Sequence, residues 1–406
     1  MIHHVLRKMK APALALSGLA LVGTAAGTAL ANDKEVVVGF AVAQSGMFQP
    51  YDAEGIEMAN LYLDELNKRG GVLGHRVRSV IADTRSDRVE GAKAGASVVS
   101  QGAKLVVVTC DYDFGAPAAL QANRNEIIAV SLCAGDPKMG PAGLGPYVFS
   151  AGMAGQSEGV KAADWAFTQR GFKTAYMLTD THVQYNSSVC AGFEWQWEKL
   201  GGKMAGKDTF RNGDPSVASQ VTRMRNAIRD DNVDVVMLCT LLPGGATALR
   251  QIRAADIETP IISGQAMSGT FWMDSVPNLS DFYTIQQAAV NGDPRESVQK
   301  VSKLYADTLG KEITQPSVFG IYAWLDLWVK AVETAGTFDS DAVLKVMNGY
   351  TNEPTFLGPY SFTPELHIQD APEQVIVEIQ DGKQAQVILT EQGESLPTNL
   401  LYRISN

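Results

Sequence analysis

Several things are scarce in this chain, and each scarcity removes a class of function. It has five histidines, two of them within the first four residues, and none stands in a metal-binding spacing such as H-E-x-x-H. No Walker A sequence occurs, and no G-x-G-x-x-G follows an apolar strand, so neither a metal nor another cofactor is indicated. Positive charge is in deficit: 34 Lys and Arg stand against 44 Asp and Glu, a formal charge of −10, with no basic stripe. That excludes the electrostatic footprint of a nucleic-acid binder or of a protein drawn to anionic membranes. Beyond the N-terminal segment no apolar run is long enough to span a bilayer. Low-complexity tracts and solenoid repeats are absent as well.

The N-terminal segment itself reads as an export signal over 1–31. Arg7, Lys8 and Lys10 form a basic region, an apolar run covers 11–22, and Ala29-Leu30-Ala31 offers small residues before a cut ahead of Asn32. A retained anchor is the alternative, and no cysteine lies near the cut to carry a lipid. The mature chain is then more acidic still, exported, and long enough for two domains.

The remainder is organised around residues 36–77. Residues 36–42 form a β-branched run without polar alternation, as a parallel strand covered on both faces requires. A turn at Gln44-Ser45-Gly46-Met47-Phe48 follows, then a helix with Ile56, Ala59, Leu63 and Leu66 on one face, stopped by Gly70-Gly71. Strand and helix continue to alternate: strands over 77–82, 105–108 and 127–132, helices over 88–101 and 116–125. That rhythm predicts βαβ crossovers and a parallel sheet. Pro and Gly gather over 135–146, the first candidate crossing between domains. The second half repeats the alternation, with strands at 174–179, 233–238 and 260–263, and helices at 157–168, 188–200, 216–229, 246–255, 297–309 and 318–335. The run Val375-Ile376-Val377-Glu378-Ile379 reads as a final strand in the second domain.

The opening unit resembles the type I periplasmic solute-binding proteins of ABC importers, the Leu/Ile/Val-binding family. The resemblance rests on Gly39-Phe40 with Gly46, on the aromatic and polar turn before the helix, and on Asn67-Lys68-Arg69-Gly70-Gly71-Val72-Leu73-Gly74. It extends with gaps over almost the whole mature chain. It implies an α/β fold of two doubly wound lobes joined by a three-strand hinge, with a ligand cleft between them. Lobe 1 is expected to hold residues 32–150 and 284–358, and lobe 2 residues 151–283 and 359–406. The implied function is capture of a small amino-acid-like or carboxylate solute by cleft closure, for delivery to a membrane ABC permease. A periplasmic monomer is the expected form. A ligand-sensing receptor domain on the same fold is the alternative.

Loops at the carboxyl ends of parallel strands face such a cleft. The candidate ligand-binding residues are Gln44, Tyr51, Asp111, Tyr112, Asp113, Ala134, Gly135, Asp136, Tyr185, Leu242, Gln265 and Phe319. In the family, hydroxyls and helix-start N–H groups of the second and third loops take a ligand carboxylate. Here Asp111 and Tyr112 stand where a Ser is common, and Gly135 near a Thr. Gln265 stands where an acid usually receives the ligand ammonium, which suits a ligand without an amine. Alternatively Asp111, Asp113 or Asp136 holds a cationic group. The bland readings are that the three aspartates are caps or turn residues, and that Tyr185 and Phe319 are core.

Four cysteines are an even number, and an exported protein oxidises them. Cys110 and Cys133 end consecutive strands, while Cys190 and Cys239 both belong to the second lobe. The expected pairs are 110–133 and 190–239, against the alternative of free buried thiols. Finally, Gly155-Gln156-Ser157-Glu158-Gly159 fits a G-x-S-x-G nucleophile elbow, with His182 downstream. That would make a serine hydrolase, but the motif opens a helix, where Ser157 is expected as an N-cap.

Overall fold

The computed structural model describes residues 34–403, so the expected signal segment lies outside the described residues. Along the first half run β1 (Glu35–Val42), α1 (Gln49–Lys68), β2 (Arg76–Asp83), α2 (Arg88–Ser100), β3 (Ala103–Val108), α3 (Tyr112–Arg124), β4 (Ile128–Ser131) and β5 (Val148–Ser150). Their strands form one parallel sheet in the order β2-β1-β3-β4-β5. The apolar run of β1 explains its place: Val38, Phe40, Ala41 and Val42 are fully buried because helices cover both faces. Gly39 is required there, since a Cβ would come 2.6 Å from the Val98 side chain of α2.

The second half runs α4 (Gly155–Thr168), β6 (Thr174–Asp180), α5 (Gln184–Lys199), β7 (Lys203–Phe210), α6 (Ala218–Asp231), β8 (Val235–Cys239), α7 (Gly244–Arg253), β9 (Ile261–Ser263) and β10 (Phe282–Gln286). After it come α8 (Glu296–Leu309), α9 (Phe319–Ala335), α10 (Ser340–Met347), the short strands β11 (Glu353–Thr355) and β12 (Gly358–Tyr360), then β13 (Val375–Gln380), β14 (Lys383–Leu389) and α11 (Thr398–Leu401). The second sheet has the order β14-β13-β10-β9-β8-β6-β7. From β7 to β10 it is parallel and repeats the winding of the first sheet; β13 and β14 add antiparallel strands at the far edge. Each sheet therefore reverses its strand order once, between β1 and β3 and between β6 and β8. Crevices open at such points.

Several expectations shift. β7 was not anticipated, because an edge strand reading KMAGKDTF is half-exposed and carries Lys, Gly and Asp. The run at 375–379 is β13 and not the last strand, since β14 pairs with it. β10 pairs with β9 and β13, so the second sheet continues past residue 283 to Gln286. Gly358 and Pro359 lie in a hairpin of β11 with β12. Between the sheets the chain passes side by side: Ser150 N–H donates to the His367 carbonyl (3.0 Å) and Ala154 N–H to the Gln369 carbonyl (2.8 Å). Helix α9 returns to pack on α1, where the Tyr62 hydroxyl donates to Asp326 (3.0 Å).

The G-x-S-x-G motif turns out to serve helix packing. Ser157 is not the N-cap of α4; that position is Ala154, and Ser157 lies inside the first turn, buried, accepting a hydrogen bond from Gln374. Gly159 abuts α5 so closely that a Cβ would fall inside contact distance of the Val189 carbonyl oxygen, and Gly192 meets the Gln156 carbonyl in the same way. Both opposing atoms are backbone, so only separation of the helices relieves the clash. Gly159→Ala is expected to cost about 3 kcal/mol in urea unfolding, and Ser157→Ala about 1. Equal, small losses for both would contradict this packing.

Candidate functional site

Six loops converge between the lobes: those after β1, β3 and β4 of the first sheet and after β6, β8 and β9 of the second. They line a cavity of about 450 Å³ of empty space, its open mouth included. Its wall includes Phe48, Tyr51, Cys110, Asp111, Cys133 and Gly135 from one side, and Glu158, Val183, Tyr185, Leu241, Gln265 and Ala266 from the other; Gln315 and Ser317 complete it. None of these is Lys, Arg or His.

Tyr51 stands in the first turn of α1, which Pro50 opens, with Phe48 packed between its ring and that of Phe114 at 6.0 and 4.7 Å. Its hydroxyl crosses the cleft. It accepts from the Leu242 N–H (2.9 Å) and donates to the Ala266 carbonyl (3.0 Å). Burial pushes the phenol well above its ordinary pKa, so it stays a neutral donor. Below it, Asp52 ties two loop starts together by accepting from Ala43 N–H (2.6 Å) and Cys110 N–H (2.8 Å). Burial raises its pKa to about 7, against the pull of those hydrogen bonds.

On the opposite wall Glu158 projects from the first turn of α4, 1 % exposed. One carboxyl oxygen accepts from the Tyr185 hydroxyl (2.6 Å) and from the Gln265 N–H (2.7 Å). The Tyr185 hydroxyl in turn accepts from Ala266 N–H at 3.2 Å. Burial pushes Glu158 up to about 8, opposed by the two donors. Asp111 caps α3, accepting from Phe114 N–H (3.0 Å); burial, then the charge of Asp113, raises its pKa well above the carboxylate range.

Of the candidate residues, Tyr51, Asp111, Gly135, Tyr185 and Gln265 line the cavity, and Leu242 meets Tyr51 through its backbone. Gly135 sits where a Cβ would come 2.6 Å from the Tyr185 ring. Others lie elsewhere. Phe319 is fully buried, its ring 6.3 Å from that of Phe356, because α9 turns that face into the core. Gln44 is exposed, its N–H donating to Asp83 (2.9 Å). Ala134 lies behind the wall, its carbonyl taken by the Ser150 hydroxyl (2.5 Å), and Tyr112 is half-buried outside the lining. Asp113 and Asp136 join the lobes instead: Asp113 accepts from Gln184 N–H (2.8 Å), and Asp136 from the Ser188 hydroxyl (2.9 Å) and Arg403 (3.0 Å).

The neutral Gln265 does not leave that wall without an acid. Its side-chain oxygen accepts from Gln287 N–H (2.6 Å), while its own N–H reaches Glu158. The acid comes from α4, a different element from the loop that carries Gln265. Phe48, Glu158, Val183, Leu241, Gln315 and Ser317 were not anticipated as lining. For Glu158 the sequence signal is an acid in the first turn of a helix entered from a crossing, and it is masked by the Gly–Ser–Gly pattern around Ser157. Cys110 and Cys133, both in the wall, are bonded with Cα atoms 4.5 Å apart, and Cys190 is bonded to Cys239 with 5.8 Å between Cα atoms.

Among the described residues no helix is long and apolar enough to cross a membrane. The sequence profile of the periplasmic binding protein family matches residues 35–383. The chain is 24 % identical to the Leu/Ile/Val-binding protein BraC3 of Rhizobium johnstonii over 339 residues, 81 % of this chain and 87 % of that protein. Its fold is similar to that of LivJ, the branched-chain amino acid substrate-binding protein of Streptococcus pneumoniae solved with isoleucine: TM-score 0.76, 19 % identity, 88 % of this chain and 99 % of that one. It is also similar to an ABC-transporter solute-binding protein of Rhodopseudomonas palustris solved with 3,4-dihydroxybenzoic acid: TM-score 0.72, 18 % identity, 89 % and 98 % covered. With two doubly wound lobes, a cleft at their strand ends and a family profile spanning nearly all the described residues, this chain belongs to the periplasmic binding protein family.

Proposed function

We propose that the chain is the extracytoplasmic solute-binding component of an ABC importer. It captures a small amino-acid-like solute in the cleft, and its closed form is what a membrane permease receives. The observation that carries the reading is the Tyr51 hydroxyl, which lines the cavity and joins the lobes through Leu242 and Ala266. Contacts made only when the lobes meet stabilise the closed form over the open one, and a solute between them adds to that difference. A purely carboxylate ligand, as the dihydroxybenzoate protein binds, finds less support in a wall with two acids and no cation.

Tyr51→Phe removes the cross-lobe acceptor and strands the Leu242 N–H. That is expected to cost the closed form about 2 kcal/mol, so solute affinity by calorimetry falls roughly thirtyfold. Unchanged affinity would count against closure as the basis of binding.

Segment 1–31 is proposed as an export signal, with the mature chain starting at Asn32 and acting as a monomer. In an oxidising compartment non-reducing peptide mapping is expected to recover the 110–133 and 190–239 pairs, and four alkylatable thiols would refute this. No hydrolysis is expected, because the Ser157 hydroxyl is turned to Gln374. A sensor would close in the same way; stimulation of a reconstituted permease and ATPase by the loaded protein separates the two.

A further inference from the structure

We propose that the solute is a small organic cation whose other polar end is uncharged: an ammonium nitrogen set against Glu158, and an amide or hydroxyl oxygen facing Gln315. The inference rests on the solute-binding reading of the same cleft and narrows it to exclude free carboxylates.

Asp111 from one lobe and Glu158 from the other both line the cavity and are nearly fully buried. Each accepts hydrogen bonds from fixed donors, Glu158 from a hydroxyl and an amide and Asp111 from its own helix start, so each carboxyl is held in place facing the cavity. A buried carboxyl ionises only against a positive partner, and the lining has none. Nearby cations are engaged elsewhere: Arg403 pairs with Asp136, and Arg88 pairs with Asp113 and lies over the Phe114 ring. A cationic ligand brings the partner against which these acids ionise. The rings of Phe48, Tyr51 and Tyr185 in the same wall suit an ammonium group, which aromatic faces attract.

The second observation is independent of charge. Gln315 is 1 % exposed and lines the cavity, yet its side-chain Nε2 has no hydrogen-bond partner. Its Oε1 points the other way, towards the Ser268 hydroxyl (3.3 Å) and the Ser317 N–H (3.4 Å). A buried unpaired donor asks for an acceptor oxygen. A carboxylate would supply one, but the α3 start, where an anion would find free N–H groups, is capped by the carboxyl of Asp111. A neutral oxygen satisfies Gln315 without that repulsion.

Calorimetric titration with matched compounds tests this directly: leucinamide, leucine, 4-methylpentanamide and 4-methylpentanoate, with alaninamide and alanine as a shorter pair. The amino-acid amides are expected to bind at least tenfold more tightly than the amino acids and the neutral amide, and 4-methylpentanoate not at all. Glu158→Gln keeps the shape and Asp111→Asn keeps a capping side chain. Each is expected to weaken the preferred amide at least tenfold while changing 4-methylpentanamide less than threefold. Gln315→Met is expected to weaken both amides. Thermal melts establish that each variant is folded. Tighter binding of leucine or 4-methylpentanoate would overturn the cation proposal and leave the solute-binding reading standing. Silence from every compound would count against both.

Discussion

Replacing Glu158 by Gln is expected to stabilise the ligand-free protein at pH 8 while weakening its binding. Burial lifts the Glu158 pKa from the ordinary 4.5 to about 8. A folded-state pKa above the unfolded one means that folding takes up a proton between those values. The stabilising contribution is therefore complete below about 4.5 and is lost as pH rises through 8. Over that window the shift is worth about 5 kcal/mol. Gln cannot ionise, and its single carbonyl oxygen can still accept from Tyr185 and Gln265, since both donors meet one oxygen of Glu158. Urea unfolding of both proteins at pH 5, 6.5 and 8 should show near-equal stability at the lowest pH and a growing advantage for the variant above it. Asp52, raised to about 7 by burial, acts in the same direction but is common to both proteins and cancels in the difference. A difference that does not change with pH would mean that Glu158 is not desolvated in solution. A binding site that costs the empty protein stability is what a ligand-driven closure needs.

The opposite sign is expected at His367. Its ring is stacked on Phe149, centroids 3.8 Å apart, with Nδ1 donating to the Val148 carbonyl (2.9 Å) and Nε2 against the Asn348 side-chain amide (2.7 Å). Burial lowers its pKa from 6.5 to about 4. The unfolded chain takes up a proton first as pH falls, so the contribution is complete above about 6.5 and lost on the way down to 4, worth about 3 kcal/mol. His367→Gln should be less stable than the parent at pH 7, because the stack is lost, and should close that gap by pH 4. A gap of constant size would contradict a buried neutral imidazole. The location matters: His367 lies beside one of the passages between the sheets, where its backbone carbonyl accepts from Ser150. Acid is thus expected to loosen the hinge region before the sheets themselves.

The periodicity of the chain made the fold legible, and the limits of that legibility are physical. Parallel strands such as β1, β3 and β8 are buried on both faces and read as unbroken apolar runs. β7, at an edge, has no such run, and β14 was hidden for the same reason. The loops of the cleft are legible from their position after strand ends, and Tyr51, Asp111, Gly135, Tyr185 and Gln265 lie on or next to them. Position alone could not say which way a side chain turns. Asp113, Asp136 and Phe319 belong to neighbouring stretches and yet face an interlobe contact or the core. Glu158 was missed because it sits on a helix face and not in a strand-end loop. Its approach to the cleft depends on how closely α4 packs on α5, which the glycines at 159 and 192 permit.

The most direct measurement is a crystal structure of the protein with the tightest-binding compound of the matched series. The solute should lie between the lobes in the cavity lined by Tyr51, Asp111, Tyr185 and Gln265, with its nitrogen on Glu158, its oxygen near Gln315, and Tyr51 bridging to Leu242. A solute bound elsewhere, or bound in a cleft whose lobes stay apart with the Tyr51 bridge open, would contradict the account.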